Sequence, residues 1–298
     1  MKTLNFALIG RGKFGKNYER LLKEIPGISL QAIVTASSGN LESVMQNPEI
    51  NCVVIATPPK THFALAKAAL EAGKHVLLEK PMVVNLKEAE ALKELVENSD
   101  RIFIVGFQYL FNDYIRYLKK EIGSESFGKI MNISFEHFQS QPRNDVNVFW
   151  DVAPHSISIF QFIFNLKKII KVSGEQKNLE NPNLEDYAKA KVQFDHGPLL
   201  DITTSWPGKE KIRKLTIQGE RKTAVLDETK SAEKFILISN GDNKITIPTI
   251  SAGEPLKNEI EHFIDCIKNR KAPLTDINFG YFNTQWLEII SQKITKSG

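Results

Sequence analysis

A glycine-rich turn joins an apolar strand to an amphipathic helix at the start of this sequence. Residues 4–9 (LNFALI) are a short apolar run that predicts a buried strand. Residues 14–25 carry apolar side chains at helical spacing and end before Pro26-Gly27, which predicts a helix. The six residues between strand and helix, 10–15, read G-x-G-x-x-G. A buried strand that passes through a tight turn directly into a helix is typical of a βαβ unit, so a parallel sheet is expected here.

The three glycines suit the approach of a phosphate to the backbone. Gly10 allows the tight turn, Gly12 has no side chain to keep a pyrophosphate away, and Gly15 lets the helix pack closely on the strand. The helix N-terminus adds amide donors and the positive end of a dipole. In this strand, turn and helix context the motif predicts a dinucleotide site. Its expected contacts in the turn are Gly10, Gly12, Lys13, Phe14 and Gly15.

The loop after the second strand bears on which dinucleotide binds. Residues 30–34 predict this strand, and the next six residues, TASSGN, include no carboxylate. A fold that binds NAD usually places Asp or Glu here on the ribose hydroxyls. Thr35 and Ser37 can hydrogen-bond a 2′-phosphate without repelling it, although both are also compatible with an ordinary loop. The sequence predicts NAD or NADP as the cofactor and favours NADP, with Thr35 and Ser37 among the contacts.

Three further buried strands end in residues that could contact a ligand. They are predicted at residues 51–56, 75–79 and 101–106, with helices between them. In an open α/β sheet, ligands bind beyond the carboxyl ends of the strands. An isolated Glu-Lys pair at a strand end is more commonly solvated, and a lone His more commonly begins a helix or lies on the surface. The additional cofactor contacts predicted here are Ala56, Thr57, Pro58, His62, Glu79, Lys80 and Gln108.

The pattern of strands and helices changes near residue 112, which indicates two domains. Before that point strands alternate with helices, as in a Rossmann fold with a doubly wound parallel sheet. After it come several short strands with turn signals and two closing helices. We therefore expect an α/β chain with an NAD(P)-binding Rossmann domain at residues 1–117. Residues 118–298 are expected to form an α+β domain with a large, mostly antiparallel open sheet.

Composition excludes several classes of protein. The net charge of +4 is not concentrated in a basic block, so nucleic acid is not an expected partner. No apolar run approaches the roughly 20 residues of a membrane span, and the N-terminus resembles no signal peptide. The two cysteines, Cys52 and Cys266, lie in apolar patterns and predict buried, reduced thiols, with no metal site. A cytoplasmic protein is the expectation.

One polar segment of the second domain stands out, at residues 150–155 (WDVAPH). Asp151 and His155 are four residues apart, so on one helical turn both can face the same cleft. A helix is predicted from 153 to 164, with Pro154 in its first turn. Asp151 is equally well explained as the N-cap of that helix, and a single His as a satisfied, partly buried residue. No third residue has the spacing of a metal ligand.

These motifs together resemble the Gfo/Idh/MocA oxidoreductase family over essentially the whole chain. The resemblance rests on the glycine turn, on Ala56-Thr57-Pro58-Pro59 with His62, on Glu79-Lys80-Pro81, and on Trp150-Asp151-x-x-Pro154-His155. It implies transfer of a hydride between NAD or NADP and a sugar or cyclitol carbon. It also implies that residues 118–298 bind the substrate and form the oligomer, a homodimer or homotetramer assembled through the second domain's sheet.

The resemblance also implies roles for individual residues. Lys80 would move the proton of the reacting hydroxyl, His155 would hold that hydroxyl or relay the proton, and Asp151 would orient the substrate or His155. Glu79 would contact the cofactor ribose or fix Lys80. The catalytic residues are thus predicted to be Lys80, His155 and Asp151. The substrate contacts are predicted to be Lys80, Arg143, Asn147, Trp150, Asp151 and His155.

Some segments look more like the branch of this family that acts on nucleotide-linked sugars in glycan biosynthesis. They are residues 143–155, Ser205-Trp206-Pro207 with Lys211-x-Arg213, and Glu254-Pro255-Leu256 with Glu259, His262 and Phe263. Two alternatives stay open. One is a dehydrogenase of a free sugar, inositol or other polyol. The other is a non-catalytic NAD(P)-binding regulator, although that reading predicts loss of the polar site residues.

Overall fold

In the computed structural model, residues 3–138, 142–165, 168–208, 210–231 and 233–296 are described. The chain divides into two units. The first unit consists of residues 1–108 together with 254–285, and the second of residues 109–253 together with 286–298. The chain therefore leaves the first unit and later returns to it. A domain boundary after residue 117 stays a prediction, and the sequence pattern did not indicate this return.

The helices of the described chain begin at recognisable capping residues in several cases. Asn40, Asn85 and Asn112 each precede a helix and accept a backbone N–H of its first turn. The helices are α1 Gly15–Glu24, α2 Leu41–Gln46, α3 His62–Glu71, α4 Leu86–Glu97, α5 Asp113–Gly123, α6 Val148–Phe164, α7 Pro255–Asn269 and α8 Ile277–Lys293. Short 3-10 helices occur at Pro59–Thr61 and Gln108–Phe111.

The first unit contains a parallel sheet with five strands among the described residues. The strands are β1 Leu4–Ile9, β2 Ile28–Val34, β3 Cys52–Ile55, β4 His75–Glu79 and β5 Phe103–Gly106. Their order is β2-β1-β3-β4-β5, and every neighbouring pair is parallel. The residues of β3 and β5 are all buried, as expected for strands covered on both faces. The chain reverses its direction of travel between β1 and β3, and a ligand crevice is expected beyond that point.

Helix α7 completes the core of the first unit, although it comes from the C-terminal part of the chain. Leu256, Ile260 and Phe263 are buried in the same apolar cluster as Phe6 and Leu21. The rings of Phe6 and Phe263 meet edge to face with centroids 6.1 Å apart. The side chains of α7 are therefore part of the packing that holds the parallel sheet.

The second unit contains a sheet of nine strands in the described residues. They are β6 Ile130–Phe138, β7 Ile169–Lys177, β8 Tyr187–Phe194, β9 Leu199–Ser205, β10 Ile212–Gly219, β11 Lys222–Asp227, β12 Phe235–Ser239, β13 Ile245–Thr246 and β14 Thr295–Lys296. The order is β13-β12-β11-β10-β6-β9-β8-β7-β14. All neighbouring pairs are antiparallel except β6 with β9 and β7 with β14. Burial alternates along β8, so one face of the sheet is covered, and α6 packs on β8 and β9.

The start of α6 differs from the sequence expectation. The helix begins at Val148, five residues before the predicted start, because Asn147 caps it by accepting the N–H of Trp150 at 3.0 Å. Asp151 is therefore not the N-cap. Pro154 lies inside the helix and not in its first turn. The early start places Asp151 and His155 on consecutive turns of a regular helix.

The fold class predicted from the sequence is confirmed, with a Rossmann-type parallel sheet and a second, mostly antiparallel sheet. The short helix α2 and the strand β7 were not predicted. Cys52 and Cys266 are buried free thiols, as expected. None of the helices in the described ranges is long and apolar enough to cross a bilayer.

Candidate functional site

The glycine turn of the first unit is built by close backbone contacts. Gly10 has φ +96° and donates its N–H to the carbonyl of Val34 at 2.8 Å. A Cβ added to Gly10 would lie 2.3 Å from the carbonyl oxygen of Ala56, and one on Gly15 would lie 2.2 Å from the oxygen of Gly10. Both positions therefore require glycine for packing, as the motif predicts.

Gly12 is different, because a Cβ added there would meet no heavy atom within 4 Å. Its backbone faces open space where a pyrophosphate could approach. No acidic residue occupies the first turn of α1, so the amide groups and dipole of this helix end are not opposed by a carboxylate. Lys13 is exposed, and Phe14 precedes the helix with its ring against Tyr18, centroids 5.7 Å apart. The residues present therefore fit a dinucleotide.

A cleft of about 1300 Å³ opens beside the glycine turn, beyond the ends of β1, β2 and β3. Its volume exceeds the roughly 300–1,000 Å³ that is common for small-ligand pockets. Of the predicted cofactor residues, it is lined by Gly10, Gly12, Thr35, Ser37, Ala56, Thr57 and Pro58. The structure thus brings the ends of the three strands to one cleft, at the reversal of strand order.

The loop after β2 presents hydroxyl groups to this cleft. Thr35 and Ser38 form a tight turn in which their side-chain oxygens are 2.7 Å apart and the N–H of Thr35 donates to the carbonyl of Ser38 at 2.7 Å. Ser37 is exposed at the tip of the turn. Thr35, Ser37 and Ser38 all line the cleft.

Two cations also line the cleft, and neither was predicted from the sequence. They are Arg11, inside the glycine turn, and Lys60, after β3. Arg11 Nε donates to Glu19 Oε2 at 2.6 Å, and this hydrogen bond, with a second from Lys23, lowers the pKa of Glu19 to about 2. The position of Arg11, directly after the first glycine of the turn, was the available signal.

His62 lies behind the cleft and not on its surface. The side chain is fully buried, with Nδ1 2.9 Å from the carbonyl oxygen of Pro81 and Nε2 3.0 Å from that of Thr57. It therefore ties the loop after β3 to the residue that follows Lys80. A direct contact of His62 with a cofactor stays a prediction.

Lys80 directly follows β4, and its side chain is half-buried. The peptide bond between Lys80 and Pro81 is cis. The neighbouring Glu79 is buried, and its carboxylate accepts the Lys80 backbone N–H at 3.1 Å and the Tyr18 hydroxyl at 2.6 Å. Of the two roles expected for Glu79, the contact with Lys80 is therefore observed, while contacts of Glu79, Lys80 and Gln108 with a cofactor stay predictions.

In the second unit, Asp151 is held among polar groups near the start of α6. Its Oδ2 accepts the indole N–H of Trp206 at 3.3 Å, and its Oδ1 lies 3.6 Å from Nη1 of Arg143. Arg143 also donates to both carboxylate oxygens of Asp145, at 2.9 and 2.7 Å. Asp151 is buried and Trp150 is half-buried. Arg143 and Asp151, which were predicted as substrate contacts, are thus brought together.

His155, one turn further along α6, is packed among aromatic rings. Its ring meets Tyr109 edge to face at 4.8 Å and stacks on His137 at 6.1 Å between centroids. Tyr109 donates its hydroxyl to Glu228 at 2.8 Å, and burial together with this carboxylate raises the pKa of Tyr109. A small cavity of about 40 Å³ lies against these residues and Arg213. Tyr109, His137 and Glu228 were not predicted from the sequence.

The third segment that resembled the nucleotide-sugar branch, from Glu254 to Phe263, lies in the first unit. Glu254 forms a salt bridge with Arg20, while Leu256 and Phe263 are core residues. His262 Nε2 accepts the N–H of Leu274 at 3.0 Å. These contacts give the segment a structural role in that unit.

Comparison with other proteins adds to this geometry. The chain is 28% identical over 305 residues to the scyllo-inositol 2-dehydrogenase (NAD(+)) of Bacillus subtilis (strain 168), covering 91% of this chain and 89% of that protein. It is 25% identical over 182 residues to the UDP-N-acetylglucosamine 3-dehydrogenase of Acidithiobacillus ferrooxidans, covering 60% of this chain and 56% of that one. A solved structure of the latter enzyme from that organism superimposes with a TM-score of 0.86 at 20% identity, covering 99% of this chain and 98% of that one. At this identity the superposition shows a shared fold.

Two family models match successive parts of the chain. The first, described as an oxidoreductase family with an NAD-binding Rossmann fold, matches residues 4–107. The second, the C-terminal alpha/beta domain of the same oxidoreductase family, matches residues 119–298. With the glycine turn and its cleft, these matches confirm what the motifs predicted: the chain belongs to the Gfo/Idh/MocA family of NAD-binding oxidoreductases.

Proposed function

We propose that this protein is an NAD(P)-dependent sugar oxidoreductase that acts on a CH–OH group of a sugar ring, in a nucleotide-linked sugar of glycan biosynthesis. The observation that carries this proposal is the glycine turn: Gly12 faces open space beside a cleft at the reversal of strand order. Lys80 follows a strand of the same sheet.

A bound nicotinamide cofactor would accept a hydride from the sugar carbon in the oxidative direction and return one to it in the reductive direction. In the oxidative direction the sugar hydroxyl must also release its proton, and we assign this proton to the amine of Lys80. His155 and Asp151 are proposed to bind the substrate and orient its reacting hydroxyl, with Arg143, Asn147 and Trp150 as further substrate contacts. Because Arg143 and Trp206 fix the carboxylate of Asp151, little rearrangement of Asp151 is needed when substrate binds.

NADP is the cofactor that we propose. The loop after β2, where a fold that binds NAD usually carries a carboxylate, presents only hydroxyls to the cleft. Two cations, Arg11 and Lys60, line the same cleft, and so does one carboxylate, Glu19, which is paired with Arg11. Arg11 and Lys60 would neutralise a 2′-phosphate, and Thr35 and Ser37 would hydrogen-bond it. Glu19 holds Arg11 by a hydrogen bond of 2.6 Å, which orders the guanidinium in advance.

This cofactor assignment is tested by substituting Arg11. We expect Arg11→Ala to weaken NADPH binding by about tenfold, because the guanidinium would no longer pair with the 2′-phosphate, while the Kd of NADH changes little. The exposed Lys67→Ala on α3, which is paired with Glu71, is the matched control. Fluorescence titration of each variant with both cofactors gives the answer. An equal loss for both cofactors, or no loss, contradicts the assignment.

Support for a nucleotide-linked substrate comes from a second cleft, of about 560 Å³, in the second unit. Pro142, Asn144, Trp206 and Pro207 line it, and Trp206 also donates to Asp151. The cleft therefore lies next to Asp151, whose carboxylate is proposed to bind the substrate. It offers space for a group attached to the sugar ring that reacts. Two of the sequence segments that resembled the nucleotide-sugar branch contribute to it.

The alternative is a dehydrogenase of a free polyol. It is favoured by the similarity to a scyllo-inositol dehydrogenase over 91% of the chain. A panel of UDP-, GDP- and dTDP-sugars, tested against inositols and free sugars with either cofactor, separates the two. Turnover of a sugar nucleotide supports the first proposal, and turnover of polyols alone supports the second. Failure of both NADH and NADPH to bind would overturn the enzyme proposal itself.

We also propose a cytoplasmic homodimer or homotetramer assembled through the second unit's sheet. Several large apolar side chains on its strands are exposed, between 36% and 59% of their surface: Met131, Ile170, Leu199 and Ile245. Burial of such side chains against a second copy would stabilise an assembly. Sedimentation velocity across a range of protein concentrations tests this, and a monomer at every concentration would contradict it.

A further inference from the structure

Three buried polar side chains of the first unit form a chain that ends beside Lys80. Tyr18 of α1 donates its hydroxyl to Glu79 Oε1 of β4 at 2.6 Å. The same hydroxyl oxygen lies 3.2 Å from Glu259 Oε1 of α7. Tyr18 and Glu259 are fully buried, and Glu79 is 8% exposed. The sequence separation between Tyr18 and Glu259 is 241 residues, so the contact exists only because α7 packs on this unit.

The number of hydrogen atoms decides which group donates. The hydroxyl of Tyr18 has one hydrogen, and its shorter contact, to Glu79, takes that hydrogen. The contact with Glu259 then needs the hydrogen of a neutral carboxylic acid. Burial and the charge of Glu79 both raise the pKa of Glu259 well above its usual value. Its other oxygen, Oε2, has no hydrogen-bond partner among the residues described, which is less costly for a neutral acid than for a carboxylate.

The far end of the chain of hydrogen bonds is the backbone of Lys80. Glu79 Oε2 accepts the Lys80 N–H at 3.1 Å. Strand β5 closes the other side, because a Cβ on Gly106 would lie 3.0 Å from Glu79 Oε1 and 3.2 Å from the Tyr18 hydroxyl. Glu79 is thus held from three directions, by α1, by β5 and by the amide of its neighbour.

We propose that Glu259 and Tyr18 are positioning residues, in which a neutral Glu259 donates to Tyr18, Tyr18 donates to Glu79, and Glu79 fixes the backbone of Lys80 at the end of β4. This inference rests on the proposed function, because the reaction gives Lys80 its role. It assigns a catalytic consequence to α7, a helix that lies about 180 residues further along the chain than Lys80.

The test uses three substitutions in the full-length protein. Glu259→Gln keeps a neutral donor of the same shape, Glu259→Leu removes the donor, and Tyr18→Phe removes only the hydroxyl. The exposed Glu261→Gln on the same helix, paired with Lys257, is the matched control. Two quantities are measured: steady-state kinetics with the cofactor and the active substrate, and hydrogen–deuterium exchange of the Lys80 amide. Because Glu259→Leu also changes the core and could fail to fold, Tyr18→Phe provides an independent test.

We expect Tyr18→Phe and Glu259→Leu to lower kcat by about tenfold to a hundredfold, since small displacements of a reacting group have effects of this size, with the Kd of the cofactor unchanged. The Lys80 amide should exchange faster in both. Glu259→Gln should restore both quantities to within about threefold of the wild type. A structural role alone would lower stability and leave kcat unchanged.

Two results overturn the inference. One is a Tyr18→Phe variant whose kcat and whose rate of Lys80 amide exchange both equal those of the wild type. The other is a Glu259→Gln variant as impaired as Glu259→Leu, because that would mean that the ionised carboxylate is required. If the wild type turns over no substrate, the proposed function fails while the amide exchange still decides: faster exchange in Tyr18→Phe supports the positioning role, and unchanged exchange contradicts it.

Discussion

Lys80 and Glu79 are neighbours with opposite environments. Glu79 is buried and both of its carboxylate oxygens accept hydrogen bonds from the protein, whereas the side chain of Lys80 is half-buried at the end of β4. A group that moves protons must be reachable by substrate, and the group that positions it need not be. The difference in burial therefore fits Lys80 as the group that moves the proton and Glu79 as the group that positions Lys80.

The first residue-scale prediction concerns Lys80→Met. Met keeps the length of the stem but removes the amine that would accept or donate the proton. We expect kcat to fall by on the order of 10²–10⁴, while the Kd of the cofactor is largely retained. The exposed Lys87→Met on α4 is the matched control, and stopped-flow turnover with cofactor titration measures both quantities. Turnover equal to that of the wild type would remove Lys80 from the mechanism.

A second prediction follows from the raised pKa of Glu259. An unfolded Glu ionises near pH 4.3, but the folded protein keeps this residue protonated to higher pH. The stability that Glu259 contributes is therefore fully present below that pH and is lost as pH rises towards the folded pKa, by up to about 1.4 kcal/mol per pH unit. Glu259→Gln cannot ionise, so it should gain stability relative to the wild type between pH 5 and pH 8.

Urea denaturation of both proteins at the two pH values measures this difference, with Glu261→Gln as a control whose stability should follow the wild type. A constant difference between Glu259→Gln and the wild type at pH 5 and pH 8 would show that Glu259 ionises normally in the folded state. The same result would weaken the direction of donation proposed for Tyr18.

At the scale of secondary structure, the sequence best predicted the positions of strands that are buried on both faces of the sheet. The strands β1, β3 and β4 are short apolar runs next to turn residues, so their positions could be predicted. The helix α2 has six residues and one buried side chain, and the strand β7 is mostly polar and half-exposed. Neither presents a clear periodic pattern. Elements that are short, or that bury only one face, form because of the neighbouring elements that they pack against. A single sequence does not show which elements those are.

The start of α6 gives the prediction at this scale. Asn147 accepts the N–H of Trp150 and donates to Glu185, so it acts as a cap whether or not it also contacts substrate. We expect Asn147→Ala to destabilise the protein by about 0.5–2 kcal/mol. Asn147→Ser should retain most of the stability, since its hydroxyl can still accept the N–H and adds no second carboxylate beside Glu185. Thermal unfolding compares the variants, and equal stability of Asn147→Ala and wild type would contradict the capping role.

For the whole molecule, the sequence predicted two domains but not the path of the chain between them. The glycine turn and the strand ends could be predicted because each lies within a local motif. The core contacts of α7, the hydrogen bond from Tyr18 to Glu79 and the salt bridge of Arg20 with Glu254 join residues that are distant in sequence. Such pairings depend on packing, and periodicity shows only that α7 has an apolar face.

The return of α7 predicts that residues 1–117 alone are insufficient for a stable first unit. Leu256, Ile260 and Phe263 are at most 4% exposed in its core, and burial of such side chains contributes about 1.5–3 kcal/mol each. Together this is roughly 5–9 kcal/mol, comparable with the total stability of a typical domain, about 5–15 kcal/mol. The carbonyl of Thr275 also accepts the N–H of Val105 at 2.9 Å.

A fragment of residues 1–117 should therefore lack a cooperative unfolding transition. The same fragment joined to residues 254–276 by a flexible Gly/Ser linker should regain one and bind the cofactor. Urea unfolding followed by circular dichroism, with fluorescence titration of cofactor, compares the two. Equal cooperativity and affinity in both fragments would mean that the apolar face of α7 is dispensable for this unit, and the catalytic influence assigned to Glu259 would then lose its structural basis.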